Sequence, residues 1–365
     1  MDDVLTAIYK PSFFCFSLSL PTSERVLKPN IYFDLEIFMK KKKIYIVLLG
    51  VLGFVVLAGL SAGSFVKFYL PDVGEASDIK IDITPDRIER GRYLASSVTV
   101  CMDCHSTRDW SKFAAPLAGG LGGGGEKFDK EMGFPGTLYS PNITPYGLSE
   151  WSDGEIFRAI TTGVDKDGNA LFSLMPYHHY GQMDEEDLYS IIAYIRTLDP
   201  IKNEIADREL DFPVSLLVNT MPVEAHLQTR PSESNTVAYG GYLVNAAGCV
   251  GCHSKTDKGA VIKGSEFGGG MEFKQPAGVV RTSNITPHPE TGIGNWTKEQ
   301  FVQRFKVYAD STHMPTTLTA DDLNSPMPWY MYAGMKQKDL EAIYAYLKTL
   351  TPINHQVVRY EKKVK

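Results

Sequence analysis

The chain has 365 residues, 43% of them hydrophobic and 22% charged, which gives it enough apolar content for a core and more length than one typical domain needs. Its net charge is −6, and residues 71–365 alone hold 29 Lys plus Arg against 38 Asp plus Glu, a net of −9. This acidic balance argues against nucleic acid as a partner and favours encounters with basic protein surfaces.

The first 38 residues are untypical of a folded element or a targeting segment, because they mix Ser, Phe, Pro and scattered charges. Met39 followed by Lys40–Lys43 is a more natural start for an export signal. We therefore interpret residues 1–38 as an extension, either disordered or not part of the natural translation product, in which Cys15 has no role.

Residues 44–70 form an apolar run of 27 residues in which Lys67 is the one charge, long enough for a helix to cross a bilayer. The four lysines before it keep that end in the cytoplasm, so everything after residue 70 is exported. A cleavable signal peptide is the alternative, since Ala62-Gly63-Ser64 resembles a cleavage site. The length of the run favours a retained single-pass anchor over residues 39–70, with the body on the periplasmic side of the cell membrane.

Beyond the anchor the chain repeats itself. Gly-x-Tyr-Leu at 91–94 recurs at 240–243, and Asn-Ile-Thr-Pro at 142–145 recurs at 284–287. The segment that begins Met175-Pro176 matches the one that begins Met327-Pro328 at a constant offset of 152 residues. The repeat predicts two domains, residues 71–210 and 231–365, joined by residues 211–230, a linker apolar enough to pack against both.

The sequence of each repeat unit predicts several helices. Thr84-Pro85-Asp86 is a typical helix start. Ser152-x-x-Glu155 and Thr297-x-x-Gln300 fit a capping box. Apolar residues at helical spacing, from Leu188 to Leu198 and from Leu340 to Leu350, predict the last helix of each unit. Glycine-rich stretches at 119–125 and 268–270 predict tight turns between the helices. Because the regular elements that the sequence predicts are helices, the expected fold class is all-α.

Two five-residue segments carry the chemistry. Cys101-Met102-Asp103-Cys104-His105 and Cys249-Val250-Gly251-Cys252-His253 both fit C-x-x-C-H, the attachment sequence of c-type haem. Two thiols three positions apart can reach the two vinyl groups of one porphyrin, while the adjacent histidine reaches its iron. Disulfides and zinc sites are alternatives, but neither explains why a histidine follows both pairs. A thioredoxin-like pair would need a βαβ context that the flanks lack. We predict two covalently bound haems c.

The second axial ligand must come from elsewhere in each unit. Met175 and Met327 are the best candidates, since each precedes a proline and an aromatic residue and lies 70 or 74 residues beyond the motif histidine. Ligation by histidine and methionine gives a saturated electron carrier with raised potential. Met183 and Met335 are expected to pack in the core. His178 and His179 are the alternative ligands in the first unit, and they have no counterpart in the second.

Taken together, these segments resemble exported dihaem cytochromes c built from two class I-like domains, similar to the cytochrome c subunits of membrane-bound bacterial alcohol and gluconate dehydrogenases. The resemblance covers about residues 84–353 and rests on CMDCH, CVGCH, residues 283–296 and the MPY and MPW segments. It implies His/Met ligation at Met175 and Met327 and a role in electron transfer. Those subunits usually carry three haem motifs where this chain has two, so the dehydrogenase partner stays open.

The functional hypothesis is a membrane-tethered electron carrier, or the electron-accepting subunit of a dehydrogenase, with no catalytic residues of its own. Its donor would be a dehydrogenase or a quinol-oxidising complex, and its acceptor an oxidase or another cytochrome. The alternative is an enzyme, either a dihaem peroxidase or a thiosulfate-oxidising cytochrome. A peroxidase needs an open iron position, and the thiosulfate enzymes use a cysteine ligand for which Cys15 is the one spare thiol.

Overall fold

The computed structural model describes residues 31–363, apart from residues 258 and 311. The chain divides after Ser61, and everything from Ala62 onward belongs to one compact unit. Both repeat units lie within that unit. Residues 1–30, with Cys15, are outside the described part of the chain, so our interpretation of residues 1–38 stays a prediction.

Helix α1, Ile31–Tyr69, contains the predicted membrane anchor. From Glu36 onward it is long and apolar enough to cross a membrane, judged by length and composition. The side chains between residues 36 and 61 are exposed, and an apolar surface of this extent is unusual for a helix in water. The helix begins eight residues before Met39, so residues 31–38 are helical.

The two repeat units contain the same series of helices. In the first unit these are α2 Pro85–Tyr93, α3 Cys101–Cys104, α4 Asp153–Thr162, α5 Tyr177–Tyr180 and α6 Glu185–Ile195. The linker contributes α7 Val214–Leu217. The second unit contains α8 Thr236–Ala246, α9 Cys249–Cys252, α10 Lys298–Lys306, α11 Trp329–Tyr332 and α12 Gln337–Leu347.

The predicted helix starts are confirmed. Thr84 caps α2 by accepting a hydrogen bond from the backbone N–H of Arg87. Ser152 with Glu155 forms a complete capping box at α4, and Thr297 with Gln300 forms one at α10. Each box satisfies two backbone N–H groups that would otherwise lack partners. Local sequence therefore fixes where these helices begin.

The all-α expectation requires correction, because short strands occur between the helices. They are β1 Thr107–Arg108, β2 Leu117–Gly119, β3 Lys127–Phe128, β4 Gly136–Tyr139, β5 Glu209–Leu210, β6 Thr256–Asp257, β7 Ala260–Val261, β8 Glu272–Gln275, β9 Gly278–Arg281 and β10 Tyr360–Lys362. They pair antiparallel as β1-β2, β3-β4-β5, β6-β7 and β8-β9-β10. The strands are two to four residues long, which is too short to show an alternating sequence pattern.

In each unit the first and last helices cross at a glycine. A Cβ atom built on Gly91 of α2 would lie 1.8 Å from the carbonyl oxygen of Ser190 in α6. One built on Gly240 of α8 would lie 1.9 Å from the carbonyl oxygen of Ala342 in α12. The helix backbones thus approach more closely than any side chain would allow. This explains the repeated Gly-x-Tyr-Leu sequence.

The linker follows the surface of the first unit. The backbone N–H of Val223 donates to the carbonyl of Thr162 at 3.2 Å, and that of His226 donates to the carbonyl of Gly181 at 2.8 Å. Arg230, at the end of the linker, pairs with Asp187 of α6. These bonds support the expectation that residues 211–230 are packed and not a free tether.

Candidate haem sites

Each cysteine pair lies on a single helical turn. Cys101 and Cys104 begin and end α3, and Cys249 and Cys252 begin and end α9. The four thiols are free, so the disulfide alternative finds no support. Residues three apart on a helix share one face. Both thiols of each pair are thus placed to reach one flat group lying over the turn.

The segment before the first pair is one residue longer than its counterpart. Six residues separate Leu94 from Cys101, whereas five separate Leu243 from Cys249. The first unit absorbs the extra residue in a π-helical turn, Leu94–Val98, closed by a 2.9 Å bond from the N–H of Thr99 to the carbonyl of Leu94. The two cysteine pairs therefore lie on equivalent helical turns, although the segments before them differ in length.

Both cysteine turns begin from a left-handed backbone conformation. The residue before Cys249 is Gly248, with φ +62°, a conformation that suits glycine. The residue before Cys101 is Val100, with φ +47°, where a β-branched side chain is strained. The first unit keeps this conformation despite the strain, as expected where attachment geometry matters more than local stability.

Each motif histidine is oriented by a backbone carbonyl. Nδ1 of His105 lies 2.8 Å from the carbonyl oxygen of Pro141, and Nδ1 of His253 lies 2.7 Å from that of Ser283. A carbonyl can only accept, so Nδ1 carries the proton and the lone pair of Nε2 remains free for a metal. Desolvation lowers the pKa of both histidines, which keeps the ring neutral as coordination requires.

The repeated Asn-Ile-Thr-Pro sequence holds those carbonyls in place. The side-chain oxygen of Asn142 accepts from the backbone and the hydroxyl of Thr144, at 3.0 and 2.7 Å, and its amide nitrogen donates to the carbonyl of Ile201 at 2.8 Å. Asn284 makes the same three bonds, to Thr286 and to Ile353. Each asparagine directly follows the residue whose carbonyl holds the histidine.

The glycine-rich stretches pack against the backbone of the motif histidines. Gly124, with φ +67°, donates its N–H to the carbonyl of His105 at 3.0 Å, and Gly269, with φ +72°, donates to that of His253 at 2.8 Å. A Cβ on Gly124 would lie 2.5 Å from the backbone of Pro141, so no side chain fits there. The paired glycine-rich stretches therefore share one role beside the histidine.

The methionines predicted as ligands begin the next loop of each unit. Met175 and Met327 are half-buried and pack against the core. The carbonyl of Met175 accepts from the N–H of Tyr177 at 2.9 Å, and that of Met327 accepts from Trp329 at 2.8 Å, so the two loops turn alike. Met183 and Met335 are fully buried, as expected of core residues, and so is Met102 inside the first cysteine turn.

A tyrosine in each unit ties this loop to the cysteine turn. The hydroxyl of Tyr180 donates to the carbonyl of Thr99 at 2.9 Å, and the hydroxyl of Tyr332 donates to the carbonyl of Ala247 at the same distance. Our sequence reasoning missed both residues. Their signal was available, since they share the offset of 152 with the rest of the segment.

The side chain of His179 points to the second unit, although its backbone N–H donates to the carbonyl of Pro176 in its own methionine loop at 2.9 Å. Its Nδ1 lies 2.9 Å from the side-chain oxygen of Asn245 in α8, and the amide of Asn245 donates back to the carbonyl of His179 at 3.0 Å. Its ring lies near Gly248, which precedes the second cysteine turn, and near Gly251, which lies between the two cysteines. His178 is exposed.

The first site carries a buried ion pair that has no counterpart among the described residues of the second. The carboxylate of Asp103, inside the first C-x-x-C-H, pairs with Arg108 at 3.0 Å, and both side chains are nearly inaccessible to solvent. Burial raises the pKa of Asp103 to about 6 despite the guanidinium. The equivalent position in the second motif is Gly251. The electrostatic surroundings of the two sites therefore differ.

These residues fit a covalently held haem better than a zinc ion. In the described ranges, no group of three or more His, Cys, Asp or Glu side chains is arranged so that it could hold a metal ion alone. Each site instead offers two free thiols on one turn and one imidazole with an available Nε2. Such a donor set suits a porphyrin that brings its own four nitrogens.

Comparison with known proteins agrees with this chemistry. The family model described as "Cytochrome c" matches residues 237–351. The second repeat unit contains a cytochrome c domain. This identifies the fold around Cys249, Cys252 and His253 and confirms the resemblance drawn from the motifs.

The chain is also homologous to cytochrome c subunits of dehydrogenases. It is 26% identical over 290 residues to the "Alcohol dehydrogenase (quinone), cytochrome c subunit" of Gluconacetobacter polyoxogenes, covering 74% of this chain and 58% of that protein. It is 28% identical over 281 residues to the "Gluconate 2-dehydrogenase cytochrome c subunit" of Pantoea cypripedii, covering 72% and 59%. It is 26% identical over 275 residues to the "Fructose dehydrogenase cytochrome subunit" of Gluconobacter japonicus, covering 72% and 52%. The chain thus spans little more than half the length of these relatives.

Proposed function

We propose that this protein is a dihaem cytochrome c, tethered to the membrane by α1, that carries electrons between respiratory partners. The observation that carries the proposal is the duplication of one histidine geometry. His105 and His253 both hold Nδ1 within 2.8 Å of a backbone carbonyl, each next to a cysteine turn. The family model covers the second unit alone, and this shared geometry extends the assignment to the first.

Thioether links would join one haem to Cys101 and Cys104 and the other to Cys249 and Cys252. Haem iron supplies one-electron exchange between its ferric and ferrous states. The protein holds each ring, orients the imidazole and limits access of water. We assign His105 with Met175, and His253 with Met327, as the axial ligand pairs.

The anchor supports a location on the periplasmic side of the cell membrane. Lys40–Lys43 precede the apolar part of α1, which by the positive-inside rule leaves them in the cytoplasm. The body beyond residue 70 would then be exported, where c-type haem attachment and free redox partners are expected.

We infer that the electron donor is a dehydrogenase, and that the chain acts as its cytochrome subunit or receives electrons from it by collision. The three relatives are named as cytochrome subunits of alcohol, gluconate and fructose dehydrogenases. The net charge of −9 beyond residue 70 favours a partner with a basic surface. An oxidase or a further cytochrome would accept the electrons.

A pyridine haemochrome assay on the purified chain tests the haem count, which we expect to be two haems c per polypeptide. Removing one pair (Cys101→Ala with Cys104→Ala) should leave one haem, and removing the other pair should do the same. A count of one in the unaltered protein would refute the dihaem assignment while leaving the cytochrome c domain standing.

Redox titration tests the methionine ligands. Met175→Ala and Met327→Ala should each lower the potential of one haem, because a thioether ligand favours the ferrous state. Met314→Ala is a matched control, since that side chain is 77% exposed. Potentials and spectra that stay unchanged in both ligand variants would remove these residues from the ligand list.

A further inference from the structure

The linker presents an exposed apolar surface beside the end of α1. Phe212 is 82% exposed and Leu217 is 46% exposed, at the two ends of a short segment that includes α7. Val214 and Leu216 between them are half-buried. These two large apolar side chains, close in sequence and accessible, form an apolar surface that a partner could cover.

This surface is attached directly to the last turns of α1. The side-chain amide of Asn219 donates to the carbonyl of Val66 at 3.3 Å. A Cβ atom built on Gly63 would lie 3.9 Å from Cδ2 of Leu216, so the Leu216 side chain lies beside this glycine. Gly63 and Val66, three residues apart on one face of α1, are the partly covered positions in its last turns, and Leu70, directly after the helix, is partly covered as well. The linker and this part of α1 thus form one packed corner.

The length of α1 places that corner at the edge of a bilayer. The apolar run of 27 residues from residue 44 would extend about 40 Å as a helix, whereas the hydrocarbon core needs about 20 residues. Counting from the lysine-flanked end, the hydrocarbon therefore ends near Gly63. The aromatic side chains that follow, Phe65, Phe68 and Tyr69, are all more than half exposed, as is typical of the membrane interface.

We propose that residues 212–217, here called the linker foot, dip into the outer interfacial layer of the membrane, with Phe212 and Leu217 in contact with lipid. The proposal rests on the anchoring role of α1 in the proposed function. We expect lipid to cover this surface. The foot packs against α1 at the depth where that helix leaves the hydrocarbon, so its exposed side chains would face the membrane interface. The foot would give the body a second point of membrane contact and limit its rotation about the anchor.

The test uses the full haem-loaded chain in vesicles of phosphatidylethanolamine and phosphatidylglycerol that contain a phospholipid with a diazirine near its headgroup. After illumination, peptide mass spectrometry compares labelling of the linker foot with that of α1 and of the peptide carrying Met314, which is 77% exposed and serves as an apolar control. We expect the foot and α1 to be labelled severalfold above the Met314 peptide. The double variant Phe212→Glu with Leu217→Glu should lose the label on the foot while α1 keeps its own.

The two possible failures are distinguishable. Labelling of α1 with the foot at the level of the Met314 peptide overturns this inference and leaves the anchor intact. Absence of label from both overturns the inference together with the membrane part of the proposed function. The contrast within the unaltered protein is enough to tell these outcomes apart, so the result does not depend on how well the double variant folds.

Discussion

The hydroxyl of Tyr242 donates a 2.7 Å hydrogen bond to the carboxylate of Asp187 across the boundary between the two repeat units. The reciprocal bond joins the equivalent residues, since Tyr93 donates to Asp339. The backbone N–H groups of Asp184 and Lys336, also equivalent, donate to the two tyrosine hydroxyls at 3.2 and 3.1 Å. A pseudo-twofold axis therefore relates the units.

The two carboxylates that accept these tyrosine hydrogen bonds differ in how their charge is compensated. Asp187 also pairs with Arg90 and Arg230, so its charge is well compensated. Asp339 is 1% exposed and its Oδ1 has no hydrogen-bond partner in the described part of the chain. The position equivalent to Arg90 is Tyr239, which brings no charge.

Tyr93→Phe should therefore destabilise the protein more than Tyr242→Phe. Losing the Tyr242 hydroxyl costs about 1 kcal/mol, the usual net worth of one hydrogen bond, because two arginines still hold Asp187. Losing the Tyr93 hydroxyl leaves a buried carboxylate without its donor, which costs about 3 kcal/mol. Urea unfolding of the two variants measures the difference, and equal losses or the reverse order would contradict this account.

Alkaline pH should weaken the same interface. Burial, together with the neighbouring carboxylate, raises the pKa of both Tyr93 and Tyr242 well above the ordinary value of 10.0. Above pH 10 the unfolded chain releases these protons while the folded protein still retains them, so the free energy of unfolding falls as pH rises. It is unaffected by these groups below pH 10.

Thermal unfolding followed between pH 8 and pH 11 would measure this slope, which should be shallower in the Tyr93→Phe and Tyr242→Phe variants than in the unaltered protein. Tyr360→Phe is a suitable control because that residue is on the surface, 50% exposed. Slopes that coincide in all four proteins would exclude the interfacial tyrosines as the cause.

Local signals in the sequence were sufficient for the helix starts. The capping boxes at Ser152 and Thr297 and the Thr84 cap involve residues three apart, so their bonds are readable from the sequence alone. The repeats were equally visible. The strands were not visible in the sequence, because ladders of two to four residues show no period.

The sequence did not predict the contacts between the units or those that orient the motif histidines. Tyr93 and Asp339 are 246 positions apart, and a single sequence does not indicate that they meet. The partner of His105 is a backbone carbonyl, which any residue could supply. What the sequence did contain was the repeat of Asn-Ile-Thr-Pro, and the structure explains it through the bonds of Asn142 and Asn284.

Replacing Asn142 should disturb the orientation of His105. Asn142→Ala removes four hydrogen bonds of a residue that is 6% exposed, each worth about 1 kcal/mol. The carbonyl of Pro141 would lose its support, so we expect reduced stability together with a shifted potential for the first haem. Asn142→Asp keeps the acceptor oxygen but places a second oxygen against the carbonyls of Ile201 and Asn203, so it should reduce stability at least as much as the alanine variant. A potential that is unchanged while stability falls would limit Asn142 to a structural role.

His179 and His178 provide a matched pair for the contact between the units. His179→Ala removes the bond to Asn245 and opens a gap beside Gly248 and Gly251, so we expect a loss of about 2 kcal/mol in stability. His178→Ala changes an exposed ring and should have little effect. The potential of the second haem should shift in the His179 variant alone, because the ring lies beside the second cysteine turn although it belongs to the first unit. Equal responses of the two variants, in stability and in potential, would show that His179 does not couple the two sites.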